Sequence, residues 1–267
     1  MQKIKKLVKA LGLLLKRPAL LNLILKDEEV LQQEFKKVFP TLSFQEIDPF
    51  VWEEAAELKI TPYAFLSGSS MATDFALLQM LCRRYHVNTY LEIGTWRGES
   101  VANVAPFVKA AFTLNLSDET LQKMGMSQAY IDSHRFYSKN MSNVTHLFGD
   151  SATFNWTPYL QNCDLIFIDG DHSTAAVQRD TQTALELRKN NDAILVWHDA
   201  KSDAEYPRYE VLLGIYRAMP VELHANIYLV KHSLCAVYLP QGIQGTALQI
   251  NALPQRRFEL DLKITNF

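Results

Sequence analysis

Apolar positions change period along this chain. In residues 1–17, Ile4, Leu7, Val8, Leu11, Leu14 and Leu15 recur at helical spacing while Lys5, Lys9 and Lys16 fall on another face, which predicts a basic amphipathic helix. Arg17-Pro18 breaks or restarts it, because proline lacks the N–H and disfavours helix in the residue before it, and residues 20–25 continue the apolar surface. Asp27 is placed to cap a helix running to Phe39-Pro40, and Asp48-Pro49 to start another through Trp52 to Leu58. Residues 61–68 read as loop. Ser69-Ser70 can cap a third helix, whose Phe75, Leu78 and Leu81 form a stripe that ends near His86. These helices predict a cap beside a ligand cleft or plain scaffold.

From residue 87 onward, short β-rich runs alternate with helical stretches. Strands are predicted at 87–93, 111–116, 144–148, 163–168 and 193–197, and helices at 101–110, 175–189 and 209–219, with 119–140 polar, part helix and part long loop. The runs CDLIFI (163–168) and AILVW (193–197) are continuously apolar, as strands buried on both faces should be. Residues 221–230 and 234–239 alternate as strands joined by Lys231-His232-Ser233, a closing hairpin. The tail from 241 to 267, strand-like at 258–264, has no assigned place. The alternation predicts an α/β fold with a parallel, doubly wound sheet.

Composition narrows the partners. The 267 residues carry a net charge of −2, but residues 1–26 hold seven Lys/Arg and no acid. The remainder has 20 basic against 29 acidic residues, a poor surface for nucleic acid. Lysines interrupt every early apolar run well short of the roughly 20 residues that span a bilayer, and no small-residue cleavage site follows. The basic helix therefore lies on anionic lipid or packs on the body or a second subunit. Cys82, Cys163 and Cys235 are too few and too scattered for a disulfide frame or a zinc site, which points to a reducing compartment. Four Asn-x-Ser/Thr triplets, at Asn115, Asn140, Asn143 and Asn155, are read as chance because no secretion signal accompanies them.

The chemistry centres on 87–100, VNTYLEIGTWRGES, a strand, a glycine turn and a helix start. That order presents a nucleotide to a helix N-terminus. Glu92 before the turn and Glu99 after it would repel a phosphate and suit a cation. Farther on, the strand ending at Ile168 runs into Asp169-Gly170-Asp171-His172, and the strand ending at Trp197 into His198-Asp199. Ligands of open parallel sheets bind at such strand ends.

The segments LEIGTWRG, FGDS, DLIFIDGDH and LVWHD, in this order and at crossover spacing, resemble class I S-adenosylmethionine-dependent methyltransferases, in particular the bacterial branch whose fourth strand ends in an Asp-Gly-Asp-His string, near the small-molecule O-methyltransferases. The donor carries a sulfonium and an ammonium and no phosphate. The resemblance implies a Rossmann-like, doubly wound, seven-stranded and mostly parallel sheet with one antiparallel strand. It implies a donor site on Glu92, Gly94, Thr95, Gly98, Asn115, Asp150, Ser151 and Asp169, and in several members a divalent metal. Gly94 would let the backbone approach the donor's amino-acid end, and Glu92 would supply negative potential. The chain departs from the usual ribose-binding acid, offering Asn115 with Asp118 three residues on. Asp150 and Ser151 could meet adenine, or Ser151 could cap a helix from Ala152 onward.

The expected organisation is a basic helix and helical cap over 1–68, a donor-binding methyltransferase domain over 69–240 and a tail over 241–267, with a helical extension ahead of the sheet. The expected reaction is methyl transfer to a hydroxyl of a small molecule or glycan, in the cytoplasm or at the inner face of the membrane. Asp169, His198 and Asp199 are the expected ligands for Mg²⁺ or another divalent ion. Asp169, His172 and His198 form the catalytic set, with His172 as base, although either histidine suits base or ligand. Against this stand a reading in which Asp169 caps the following helix and Asp199 holds a loop, an NAD-dependent dehydrogenase or epimerase, and a non-catalytic donor-binding protein recruited to membranes. A homo-oligomer remains open.

Overall fold

The computed structural model describes residues 2–21, 24, 27–56 and 58–265. The expected apolar continuation over residues 20–25 therefore lies partly outside the described residues. Eight α-helices occur among the described residues: α1 (Gln2–Lys16), α2 (Glu28–Val38), α3 (Ala72–Arg84), α4 (Glu99–Val104), α5 (Asp118–Lys123), α6 (Gln128–Ser133), α7 (Thr174–Leu187) and α8 (Tyr209–Ala218). The strands are β1 (Gln45–Ile47), β2 (Thr89–Ile93), β3 (Ala110–Asn115), β4 (Val144–Phe148), β5 (Leu165–Ile168), β6 (Ile194–Trp197), β7 (Ile227–Val230), β8 (Ala236–Tyr238) and β9 (Thr246–Ala247).

They form one sheet in the order β4-β3-β2-β5-β6-β8-β7-β1-β9. The ladder from β4 to β6 is parallel and β8 runs antiparallel to both of its neighbours. These strands with β7 make the expected seven, with one reversed. Two more extend the edge: β1 pairs parallel with β7, and β9 antiparallel with β1. The expectation of seven strands is thus corrected to nine. β1 escapes notice because its polar Glu46 is a buried residue, 3.5 Å from the buried Lys201 amine, whereas a charged side chain in a sequence reads as surface.

Side-chain alternation along the strands divides the core. Leu91, Ile93, Ile166 and Ile168 face one layer with Val177 of α7 and Leu212 of α8, while Tyr90, Leu165 and Phe167 face the other with Leu77 and Leu81 of α3 and Val101 of α4. The helix α2, capped by Asp27 as expected, inserts Phe35 against Tyr209 and Tyr216 of α8. It is scaffold on the outside of the first layer. In place of the helix expected to start at Asp48-Pro49 and run through Trp52 to Leu58, the described residues form two 3₁₀ turns, Pro49–Val51 and Glu53–Ala55. The crossover helix expected to reach 110 ends at Val104, continues as the 3₁₀ turn Ala105–Phe107 and carries Pro106, which cannot donate to the previous turn.

Candidate functional site

The C-terminal ends of β2, β5 and β6 lie side by side, so their exit loops share one crevice. Gly94 follows β2 with φ +103°, and a Cβ there would overlap the carbonyl oxygen of Asp169 in the loop leaving β5. Glycine is therefore demanded here by a neighbouring strand's backbone, whether or not a donor also approaches it. Gly98 (φ +78°) likewise leaves no room for a Cβ beside the hydroxyl of Ser138.

The two acids of this turn are occupied within the fold. Glu92 is wholly buried and accepts from Thr113 Oγ1 (2.6 Å), Tyr90 Oη (2.7 Å) and Ser100 Oγ (2.8 Å). Because Thr113 donates to Glu92, its oxygen must accept the hydroxyl of Thr95, and a relay runs from the turn into the sheet. Burial raises the Glu92 carboxyl to about 7, against the pull of these three donors. A carboxyl so placed is a weak source of negative potential at neutral pH. Glu99 accepts from Ala64 N (2.6 Å) and Ser69 Oγ (2.7 Å), and Arg97 donates to Ser67 O (3.0 Å). Asn103 accepts from Thr61 N (2.8 Å) and donates to Pro62 O (2.9 Å). Together they strap residues 61–69 onto the glycine turn and α4. The serines expected to cap α3 thus act otherwise: Ser69 serves Glu99, and Asp74 accepts from Met71 N (2.7 Å) at the helix start.

Just past β3, Asp118 accepts from a single nitrogen of Arg135, Nη2, at both carboxylate oxygens, 2.9 and 2.8 Å. Half-buried Asn115 sits at the strand's last position. Asp150 accepts from Ala152 N (2.9 Å), a local turn, while Ser151 lies beside Asp180 of α7, whose carboxyl burial raises. Asp180 is buried, and its Oδ1 accepts no hydrogen bond but lies 4.0 Å from Arg179 Nε.

The crevice itself gathers the remaining groups. Asp169, His172 and Asp199 bring one ligand atom each to within 4.8 Å of one another. His172 Nε2 lies 3.2 Å from Asp199 Oδ2, and Arg208 Nη1 3.3 Å from the same oxygen. His198 Nδ1 lies 3.1 Å from Asp169 Oδ1 and 3.5 Å from Asp199 Oδ1. Its Nε2 meets Asp74 Oδ2 at 3.1 Å. Asp74, wholly buried on α3, also accepts from Ser233 Oγ (2.7 Å) and Leu234 N (2.9 Å), tying the β7–β8 turn to the floor of the crevice. Burial would lower the His198 pKa, but Asp169, Asp199 and Asp74 together raise it well above the ordinary histidine value. Burial would raise Asp199, yet His198, His172 and Arg208 hold it at about 2.

The donor set fits a divalent cation on one further observation. His198 Nδ1 is buried and lacks a hydrogen-bond partner although two carboxylate oxygens lie within 3.5 Å. A nitrogen among converging oxygens with poor hydrogen-bond alignment suits a metal ligand, and Asp74 on the opposite ring nitrogen is the kind of outer carboxylate that orients ligating histidines. With no ion bound, an imidazolium at His198 balances the same carboxylates. Asp74 and Arg208 were not identified in the sequence; they reach the site from distant segments without any local motif.

Residues 91–200, from β2 to just past β6, match the family model described as a methyltransferase domain. Residues 91–200 are thus similar to methyltransferase domains, and the match spans the glycine turn and the exits of β5 and β6. Among solved structures it is similar to an O-methyltransferase from Bacillus cereus in complex with SAH, at 17% identity over 65% of this chain and 84% of that one, TM-score 0.44. It is also similar to the O-methyltransferase TomG from Streptomyces achromogenes in complex with SAM, at 17% identity over 64% and 81%, TM-score 0.41. A Bacillus halodurans protein described as a candidate methyltransferase aligns at 17% identity over 47% of this chain, TM-score 0.35, and the chain spans half of its length. No curated protein matches the sequence.

Proposed function

We propose that this chain is an S-adenosylmethionine-dependent O-methyltransferase that methylates a hydroxyl of a small molecule or a glycan. The observation that carries the reading is the convergence of Asp169, His172, His198 and Asp199 where the exits of β5 and β6 adjoin the glycine turn. Bound donor supplies an electrophilic methyl group; the chain must supply a nucleophilic oxygen. His172 is 38% exposed on its side chain and held at Nε2 by Asp199, which leaves its other ring nitrogen to take the acceptor's proton. Asp169, Asp199 and His198 Nδ1 are the ligands we assign to a divalent ion such as Mg²⁺, with Asp74 fixing the ring of His198. A bound ion lowers the pKa of a coordinated hydroxyl. On the donor side we assign Thr95 and the turn at Gly94 and Gly98 to the amino-acid end, Asn115 to the ribose, and Asp150 with Ser151 to adenine, with Glu92 holding the turn through Thr113 and Ser100.

Among the described residues no helix is long and apolar enough to cross a membrane. The three cysteines are buried and unpaired, and we place the protein in the cytoplasm. The test is an acceptor screen with labelled donor, repeated after exhaustive chelation. Labelled oxygen ethers that vanish on chelation and return with Mg²⁺ or Mn²⁺ support the reading. Full activity in chelator removes the ion and leaves His172 alone, and label on nitrogen or carbon overturns the hydroxyl acceptor.

A further inference from the structure

We propose that α1 docks the protein on an anionic phospholipid surface. Not one of its 15 residues is buried. Ile4, Leu7, Val8 and Leu11 are each more than half exposed, and Leu15 is 85% exposed. At 3.6 residues per turn, these five and Leu14 occupy an arc of roughly 120°. Lys5, Lys9, Lys16 and Lys6 occupy the opposite side, and Lys3 and Lys5 stand closest to the borders of the stripe. A 15-residue helix is about 22 Å long, too short to span a bilayer and long enough to lie along one.

Charge selects the occupant. Residues 2–21 contain six Lys/Arg and no acid, so negative headgroups pair with every ionised side chain while the stripe enters the acyl boundary and long lysine stems reach back to the interface. A nucleic acid would leave the stripe in water and meet an acidic body. In a second copy's α1, the lysines flanking the stripe would face their own kind. The proposal is independent of the reaction assigned to the crevice.

The experiment is sedimentation of the full chain with vesicles of phosphatidylglycerol mixed into phosphatidylcholine, against phosphatidylcholine alone, at low and high salt. Binding to the acidic vesicles only, weakened by salt, is expected. Near the surface each cationic side chain removed lowers partitioning about fivefold, so Lys3→Ala with Lys5→Ala costs about 25-fold. Leu7→Asp with Leu11→Asp abolishes binding. Both pairs are exposed, and unchanged thermal unfolding and binding of S-adenosylhomocysteine confirm an intact body. Equal binding to both vesicle types, or binding to neither, overturns the proposal. So does a dimer by light scattering that becomes monomeric in Leu7→Asp with Leu11→Asp, because the stripe is then a contact between copies.

Discussion

Two sets of carboxylates stand at the ends of adjacent parallel strands and meet opposite fates. Glu92 and Glu99, flanking the turn after β2, are saturated by hydroxyls and backbone N–H groups of their own domain. Asp169 and Asp199, leaving β5 and β6, face each other across His172 and His198. The difference lies in what the neighbouring elements supply. Around β2 they bring Thr113, Tyr90, Ser100 and Ser69, neutral donors that bury a carboxyl at tolerable cost, with one guanidinium, that of Arg97, 3.9 Å from Glu99. Around β5 and β6 they bring two imidazoles and a guanidinium, and half-exposed positions from which a charge can act on something that enters. An acid beside a glycine turn is thus no guide by itself to a cationic ligand.

Substitutions can break this contrast. The largest effect is expected at His172: replacement by Ala removes the base, and labelled methyl transfer should fall about 10²- to 10⁴-fold while calorimetric titration of S-adenosylhomocysteine is unchanged. Equal loss of both would move His172 into the donor site. Next comes Asp74→Asn, which leaves His198 wedged between unbalanced partners. Breaking a buried pair costs about 3–5 kcal/mol, read as a fall in the denaturation midpoint, and metal affinity should drop about 10- to 100-fold if Asp74 orients a ligand.

Glu92→Gln addresses the saturated side. Folding raises this carboxyl from its ordinary 4.5 to about 7, so between those values the native state keeps a proton that the unfolded chain releases. The associated stability is whole below pH 4.5 and is lost as pH rises through 7, a decline of about 3 kcal/mol. The Gln variant should flatten that slope in chemical denaturation followed across pH. An unchanged slope, with donor affinity down tenfold or more, would restore Glu92 to the ligand. The smallest effect is expected for Glu99→Gln, which weakens two charge-assisted bonds to residues 61–69. A loss of about 1–2 kcal/mol in stability, with faster proteolysis confined to that loop, would sharpen its role as a strap.

Much of this was legible because burial on both faces writes continuous apolar runs. β5 and β6 emerge from CDLIFI and AILVW within two residues, and the strand exits DGDH and HD follow directly. What was hidden depends on partners far away in sequence. Asp74 looks like an ordinary first-turn acid until His198 arrives 124 residues later. The strand-like tail at 258–264 pairs with nothing among the described residues: Phe258 rests on Phe50 and His232, and Leu260 and Leu262 face solvent. Three-residue β1 shows no alternation to read, and its Glu46 belongs with Lys201, whose amine donates to Val230 O.

That edge carries a consequence for how the molecule is made. β1 is synthesised early but its ladder partner, β7, begins only at Ile227. At about 5–20 residues per second, the ribosome needs roughly 10–40 seconds to deliver it. During that interval a short strand, with a glutamate destined for the interior, waits for both Lys201 and β7 while the strands β2, β3 and β4 at the opposite end of the sheet are already made. The rim beside the crevice therefore closes last. Nascent chains arrested before residue 227 should bury the glycine turn yet leave Glu46 in water.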